Sequence, residues 1–291
     1  MTALQFSIGG MRIRVEAAEP FPANFVGDRL ALFQTDEAPE PPDILVQWER
    51  GDPTRRKVGP LIYAPGSIWR LHRSAHGKGY VAIISYAHGG ELTPQATLVE
   101  TDEQWQTFRV TENAPRDAYQ SLLNLGAGEL IVRTRILFLN GIVFHACAID
   151  DGGRGILMVG HSGAGKSTQS LIWSGIGATV LSDDRIAVRL KNGAPVAYGT
   201  PWGGTADIAH NGSVPLRAVL VLEQAPVNEL VPLTGAEALS VLLVRSFLPY
   251  WNADLMNRAM DRVSKLMECV PVYIFRCRPD ESVVPVVRSV M

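Results

Sequence analysis

The chain has 291 residues, with 27 basic and 29 acidic side chains and a formal net charge of −2. That balance excludes a nucleic-acid binder that works by bulk positive charge, because neutralising phosphates needs a basic surface. Hydrophobic residues make up 46% and charged residues 19%, which supports a packed core and excludes global disorder.

Residues 1–112 show short alternating apolar stretches separated by turn signals. They predict strands at Leu4–Ile8, Met11–Val15, Asp43–Trp48, Ile68–His72, Tyr80–Ile84 and Thr107–Val110. Gly9-Gly10 reads as a hairpin turn. A short helix is expected around Asn24–Phe33, and Ala38–Asp43, rich in proline, as an extended loop. Residues 1–115 are therefore expected to form an antiparallel, β-rich N-terminal domain.

The texture changes near residue 115. Tyr119, Leu122, Leu123, Leu130, Val132 and Ile136 fall broadly on helical spacing and predict a helix over 116–139, with Gly126 and Gly128 as breaks. Strands and helices then alternate. Val143–Ile149 and Gly155–Val159 read as strands, Lys166–Ile176 as a helix and Ala178–Leu181 as a strand. Arg185–Leu190 and Pro195–Tyr198 read as a hairpin about Asn192-Gly193. Ala218–Leu222 is a buried strand, followed by helices near Gly235–Phe247 and Ala253–Glu268, a last strand at Val270–Arg276, and a terminal helix after Pro279-Asp280. This alternation implies an α/β (α+β) core with a mixed sheet over residues 116–291.

No apolar run reaches the roughly 20 residues of a membrane helix. The most apolar stretch, Leu130–Ile149, is interrupted by Arg133, Arg135 and His145. The N-terminus lacks a basic region followed by an apolar core, so no signal peptide is expected. Cys147, Cys269 and Cys277 are odd in number and lack CxxC spacing, which argues against a disulfide framework or a structural zinc site. They read as buried free thiols in a reducing, cytoplasmic protein.

One motif is strong. Gly160-His161-Ser162-Gly163-Ala164-Gly165-Lys166-Ser167 fits G-x-x-x-x-G-K-[ST], between an apolar strand and a helix. The glycines let the backbone turn tightly and aim successive N–H groups inward. With the helix N-terminus they make an anion hole for a nucleotide phosphate. The expected phosphate contacts are Gly160, Ser162, Gly163, Ala164, Gly165, Lys166, Ser167 and Thr168. Lys166 adds a point charge, and Ser167 offers a hydroxyl to Mg²⁺. No Asn-Lys-x-Asp guanine motif is present, which makes ATP the expected nucleotide.

Two further features lie close by. Ser182-Asp183-Asp184-Arg185 follows the next strand, and strand ends in such sheets face the ligand crevice. One carboxylate there can hold Mg²⁺ through water while the other accepts a proton from an attacking hydroxyl. His145 lies on the strand before the loop strand; alone, such a histidine is as well explained by the core.

Together these pieces resemble the kinase core shared by HPr kinase/phosphorylase and phosphoenolpyruvate carboxykinase, a P-loop core with a mixed sheet. The resemblance runs from His145-Ala-Cys-Ala through the glycine motif to Leu181-Ser-Asp-Asp184 and covers about residues 141–223. It implies ATP- and Mg²⁺-dependent phosphorylation of a serine hydroxyl. Asp183 would be the base, Asp184 a Mg²⁺-water or orienting partner, and His145 a polar group near the transferred phosphate. The chain departs from the pattern after the Asp pair. HPr kinases carry a glutamate in a Gly-rich signature, whereas here Tyr198-Gly-Thr-Pro-Trp-Gly-Gly-Thr205 has no carboxylate before Asp207. That segment looks like a divergent branch of HPr-kinase-like proteins that accompany clusters for ribosomally made, modified peptides. Some are similar to kinases acting on the C-terminal serine of a lasso-peptide precursor. The implied partner is thus a protein or peptide with a serine hydroxyl, not a nucleic acid or a membrane.

Two other functions stay open on the residues alone: a nucleotide-binding regulator or scaffold without transfer, and a small-molecule kinase. The β-rich domain is expected to recognise the acceptor or to form a homo-oligomer contact, since exposed sheet edges can add a peptide strand. His161 is expected to face solvent or substrate, and Arg185 to neutralise the Asp pair or reach a phosphate. Arg217 and Arg245 could supply transition-state charge, but nothing in the sequence places them. Trp202 is read either as a substrate-packing residue on a mobile loop or as part of a rigid turn. Tyr250 and Trp251 read as a packing cluster at a helix entry.

Overall fold

In the N-terminal half, alternation of apolar and polar residues translates directly into strands with one buried face. The computed structural model describes residues 2–23, 25–36, 41–66, 68–85, 90–113 and 126–291. Asn24, residues 37–40 of the proline-rich stretch and residues 116–125 of the expected helix, with Tyr119, Leu122 and Leu123, lie outside them. Two units are formed, one of Met1–Ser7 with Met11–Arg135 and one of Ile8–Gly10 with Ile136–Met291.

The first unit contains β1 (Thr2–Ile8), β2 (Met11–Ala17), α1 (Asp28–Ala31), β3 (Ile44–Arg50), β4 (Val58–Tyr63), β5 (Trp69–Ser74), β6 (Tyr80–Ile84), β7 (Thr97–Thr101), β8 (Thr107–Glu112) and α2 (Ala127–Arg135). Its strands lie in the order β1-β2-β3-β8-β7-β6-β5-β4. Met11, Ile13, Val15 and Ala17 of β2 are buried in strict alternation. Gly9 and Gly10 both have positive φ, as a two-residue turn of this hand requires.

The sheet is not the antiparallel one expected. β2 pairs with β3, and β3 with β8, in parallel. The chain between Ala17 and Ile44 is long enough for the crossover that parallel neighbours need, and β8, the last strand of this unit, lies on the edge of β3 that β2 does not occupy. From β8 back to β4 the pairing is antiparallel throughout. The expected break at residue 115 lies well before the division after Arg135. The guanidinium of Arg135 explains why α2 stays with the first unit: it donates to the carbonyls of Asp43 (3.0 Å) and Gln104 (2.9 Å).

The second unit contains β9 (Gly141–Asp150), β10 (Gly155–Val159), α3 (Lys166–Gly175), β11 (Thr179–Ser182), β12 (Arg185–Lys191), β13 (Ala194–Tyr198), β14 (Ser213–Gln224), β15 (Glu229–Leu233), α4 (Gly235–Val244), α5 (Ala253–Cys269), β16 (Val272–Cys277) and α6 (Val283–Arg288). The sheet is mixed. β10, β14 and β16 are parallel neighbours, and the other pairings are antiparallel. Asn192 and Gly193, both at positive φ, close the β12–β13 hairpin.

Alternation along the parallel strands makes two cores. Leu157, Val159, Val219 and Val221 pack with Leu242 of α4 and Leu255, Ala259 and Val263 of α5. Ile156, Met158, Leu220 and Leu222 face the other way, against Trp173 of α3 and Val283 and Val287 of α6. At roughly 1.5–3 kcal/mol for each large side chain fully buried, these layers are what fix the strand ends where the loops emerge. Cys147 and Cys277 are buried as expected, but Cys269, at the end of α5, is exposed. No described helix is long and apolar enough to cross a membrane.

Candidate functional site

Strand β9 is longer than the neighbour it shares with the core, and the site forms where that neighbour leaves. From Ala146 to Asp150, β9 pairs with β10. β10 ends at Val159, and the chain turns into the glycine loop. The vacated edge of β9 is taken by Arg245–Phe247, which follow α4: His145 N donates to Arg245 O (2.8 Å) and Phe247 N to Val143 O (3.0 Å). On the opposite edge, β11 and β12 run antiparallel to β9; the register shifts between Val180 and Ser182, which puts Ser182 against Ala148 and Arg185 against His145. Ala146 N donates to Asp184 O (3.0 Å) between them. The glycine loop, the Asp pair and Arg245 are thereby gathered around one residue, His145. The helix expected to run to Phe247 stops at Val244 because the next residues serve as this strand segment.

The loop has the conformation its glycines allow. A Cβ at Gly160 would come within 2.6 Å of the Ala164 Cβ, while Gly163 (φ 80) and Gly165 (φ 105) are left-handed. Ala164 N closes a turn on His161 O (3.1 Å), and Gln224 Nε2 ties Gly163 O to the end of β14 (2.8 Å). Helix α3 begins at Lys166 with no side-chain cap, so first-turn N–H groups lack intrahelical acceptors at the positive end of the helix dipole. Ser162, Gly163 and Thr168 are exposed, Ala164 is buried against Gly160, and His161 faces solvent. Lys166 is nearly buried, and its Nζ donates to Gly160 O (3.0 Å) and His161 O (3.1 Å). Burial lowers its pKa, against the opposing pull of Asp184 and Asp183.

The two aspartates have different surroundings. Asp183 is 1% exposed. Its Oδ1 accepts from Gly204 N (2.7 Å) and Ile208 N (3.3 Å), and its Oδ2 from Ala206 N (2.8 Å). Ser167 Oγ lies 3.4 Å from the same Oδ2. Asp184 is the more accessible carboxylate. His145 Nε2 donates to its Oδ1 (2.8 Å), which fixes the proton of the imidazole on that nitrogen, and Arg185 donates to its Oδ2. Burial pushes the Asp184 carboxyl up, but the His145 hydrogen bond and the charges of Arg185 and Lys166 outweigh it and leave the pKa lowered. Enclosure of Asp183 is the reverse of what a proton-accepting residue needs.

Ser167 Oγ and Asp183 Oδ2 are hard oxygen donors side by side at the loop. They fit a magnesium ion that keeps most of its waters. The Ser167–Asp184 pair expected from the sequence is not the one brought together. Among the described residues no three His, Cys, Asp or Glu gather as an all-protein metal cage.

Two contributors go beyond what sequence reasoning could place: Arg245, named as a source of charge without a position, and a backbone segment it did not name. Arg245 is half-buried, and its charge bears on Lys166. Its Nη1 donates to Val241 O (2.9 Å), while its Nε is buried without a partner among the described residues. The second is the backbone of 204–208, which encloses Asp183. A Cβ at Gly204 would lie 2.9 Å from Asp183 Oδ2, so the Gly203-Gly204 pair was the available signal. Trp202 is 3% exposed; it is packed inside rather than offered to substrate, and the segment after it is tied to Asp183 rather than loose. Arg217 sits exposed on β14, and Tyr250 is exposed instead of packed at the entry of α5, where Asn252 caps Leu255 N (3.0 Å). The Arg185 guanidinium lies over the Phe247 ring (5.4 Å), next to His145.

Comparison with known proteins gives a match to a family and matches to solved structures. The Hpr(Ser) kinase/phosphatase from Coxiella burnetii is a structural neighbour at 16% identity, over 50% of this chain and 90% of that one, with a TM-score of 0.31. No curated protein matches the chain. Residues 111–279, more than half of the chain, match the family described as SynChlorMet cassette protein ScmC. The chain belongs to the SynChlorMet cassette protein ScmC family.

Proposed function

We propose that the second unit is a Mg²⁺- and ATP-dependent kinase that transfers a γ-phosphoryl group to a serine hydroxyl of a protein or peptide. The observation that carries this reading is the meeting of the glycine loop, with Lys166 and the open end of α3, and the Asp184–His145 pair at one strand crossing. The first can hold phosphates; the second can take a proton from a hydroxyl.

Each group then has a role. The N–H groups from Gly160 to Thr168 cradle the phosphates, and Lys166 exchanges the loop carbonyls for phosphate oxygens. Ser167 and Asp183 would hold Mg²⁺, which supplies charge neutralisation across the β- and γ-phosphates when bound. Asp184 accepts the serine proton as the new O–P bond forms and the bond to the β-phosphate oxygen breaks, releasing ADP. His145 and Arg185 hold Asp184 in place and in its ionised form. Arg245 adds positive charge where the transferred group passes. The proton-accepting role thus moves from Asp183, where the sequence resemblance put it, to Asp184.

The family name speaks of a cassette, which makes a co-encoded peptide, such as a lasso-type precursor, the first acceptor to try. A second reading is a nucleotide-binding regulator without transfer, favoured by the lack of a carboxylate between Asp184 and Asp207. An intact-mass assay separates them. With Mg²⁺-ATP and a panel of serine-containing peptides, a kinase adds about 80 Da to one acceptor, and Asp184→Asn abolishes the addition. ATP binding without a shift on any peptide favours the regulator, and turnover on a small hydroxyl compound instead would make it a small-molecule kinase.

A further inference from the structure

Two side chains hold the Asp184 carboxylate, and both lie against a third that no role above uses. His145 Nε2 donates to Oδ1 (2.8 Å) and Arg185 to Oδ2. The guanidinium carbon of Arg185 lies 5.4 Å from the centre of the Phe247 ring. The centre of the His145 ring lies 6.4 Å from it, with the planes at 57°. The first distance is that of a cation over an aromatic face. The second is that of a tilted aromatic pair. One ring therefore backs both donors of one carboxylate.

The backbone places that ring. Ser246 stands opposite Phe144 in an antiparallel bridge. Arg245 is then opposite His145 and Phe247 opposite Val143, as the bonds from His145 N to Arg245 O (2.8 Å) and from Phe247 N to Val143 O (3.0 Å) require. On the other edge of β9, Arg185 of β12 is opposite His145. Opposed residues of neighbouring strands share a face, and alternate residues of one strand share it too. His145, Arg185 and Phe247 are thus all on one face, brought there from three strand segments. The Arg185 side chain is 16% exposed, and such a sheltered guanidinium gains more from an aromatic face than one in water does. With one donor on each oxygen of Asp184, the direction of its remaining lone pairs depends on where those donors are held.

We propose that Phe247 is a positioning residue, whose ring holds Arg185 and His145 on the two oxygens of Asp184 and so aims that carboxylate at the acceptor hydroxyl. This role rests on Asp184 being the proton acceptor of the proposed function. A phenyl ring exchanges no proton, so its effect on transfer runs through the side chains it touches.

The test compares Phe247→Leu, which stays apolar without an aromatic face, with Phe247→Tyr, which keeps the face. Phe247→Ile is a second ring-free variant, and thermal unfolding checks the folding of each full-length protein. Phosphoryl transfer from Mg²⁺-ATP is measured with water and with the serine peptides as acceptors. ¹⁵N NMR of histidine-labelled protein without nucleotide reads the His145 ring, assigned with His145→Gln. In the ring-free variants kcat should fall about tenfold while KM for ATP stays within about twofold, and Phe247→Tyr should restore kcat to within about twofold. The His145 proton should stay on Nε2 in the unsubstituted and Phe247→Tyr proteins, and the two tautomers should mix in the ring-free ones. Unchanged kcat in the ring-free variants, equal losses in all three, or His145 signals that are the same throughout overturn the positioning role and leave that of Asp184 standing. If the unsubstituted protein transfers phosphate to neither water nor peptide, the kinase reading itself fails and takes this role with it.

Discussion

Replacing Asp183 by asparagine tests the division of labour between the two aspartates. The Asp183 carboxylate is enclosed and accepts from three backbone N–H groups, those of Gly204, Ala206 and Ile208. An asparagine keeps one oxygen. In its better orientation that oxygen stays with Gly204 and Ile208, and an NH₂ group meets the Ala206 N–H. One charge-assisted hydrogen bond is lost, worth about 1.5–3 kcal/mol, and a buried donor goes unsatisfied, costing about 1–3 kcal/mol. Relief from burying a charge offsets part of this, leaving a net loss of about 3 kcal/mol. For a unit of this size each kcal/mol moves the midpoint by roughly 2–4 °C, so Tm should fall by roughly 6–12 °C. Asp184→Asn keeps an oxygen for His145 and lies nearer solvent; its Tm should stay within about 3 °C, while phosphoryl transfer falls by about a hundredfold or more. Circular dichroism melts and the intact-mass assay read the two effects separately. An Asp183→Asn protein that melts with the wild type would refute the enclosure argument. An Asp184→Asn protein with full transfer would refute the assignment of the proton to Asp184.

Three further outcomes follow from the same structure. Lys166→Ala should abolish phosphoryl transfer and weaken ATP binding by calorimetry; undiminished binding would mean the loop does not hold the phosphates. His145→Ala should move the acid limb of kcat/KM upward, because Asp184 must be ionised to accept a proton and His145 helps hold its pKa down; a limb that stays put removes His145 from that role. In the first unit, Glu112 is buried, and burial raises its pKa to about 7, against hydrogen bonds from Trp48 (2.8 Å) and Thr97 (2.8 Å). Between the unfolded value of 4.5 and about 7, the folded state alone binds this proton, so stability falls as pH rises, by about 1.4 kcal/mol per pH unit. Urea melts from pH 5 to 8 should show that decline and Glu112→Gln should flatten it; parallel curves would count against the buried acid.

What the sequence made legible was local. The glycine loop and the Asp pair are contiguous runs, and the strand and helix around the loop follow from an apolar stretch and a 3.6-residue period. The ends of β10 and α3 match the expected ends closely for that reason. Strand direction was not legible, because alternation reports a buried face and is silent on whether the neighbour runs parallel. β4 was missed because Gly59-Pro60 look like a turn; at the end of the strand order a proline costs no ladder bond. β7 was missed because Thr97, Glu100 and Thr101 make it polar. The enclosure of Asp183 was hidden for a different reason. Its partners are backbone N–H groups, which any residue but proline supplies, and only Gly204 carries a trace of the crowding.

Arg245 shows how far a site can lie beyond local reading. Nothing near residue 245 marks it, and the nearest predicted element was a helix running through it. Its position depends on β10 ending at Val159 while β9 extends back to Gly141, which leaves an edge for the chain after α4 to occupy. That exchange sets the charge of the site. Arg185 is matched by Asp184, and Asp183 is spent on backbone donors. Lys166 rests on two carbonyls and Arg245 on one. Both cations thus hydrogen-bond to neutral carbonyls in a partly buried place, while Asp184 and Asp183 attract Lys166 and Glu223 attracts Arg245. A triphosphate on the loop would meet both, Lys166 from the loop side and Arg245 from the side of His145. The same strand exchange that hides Arg245 from the sequence thus brings a second cation toward the glycine loop.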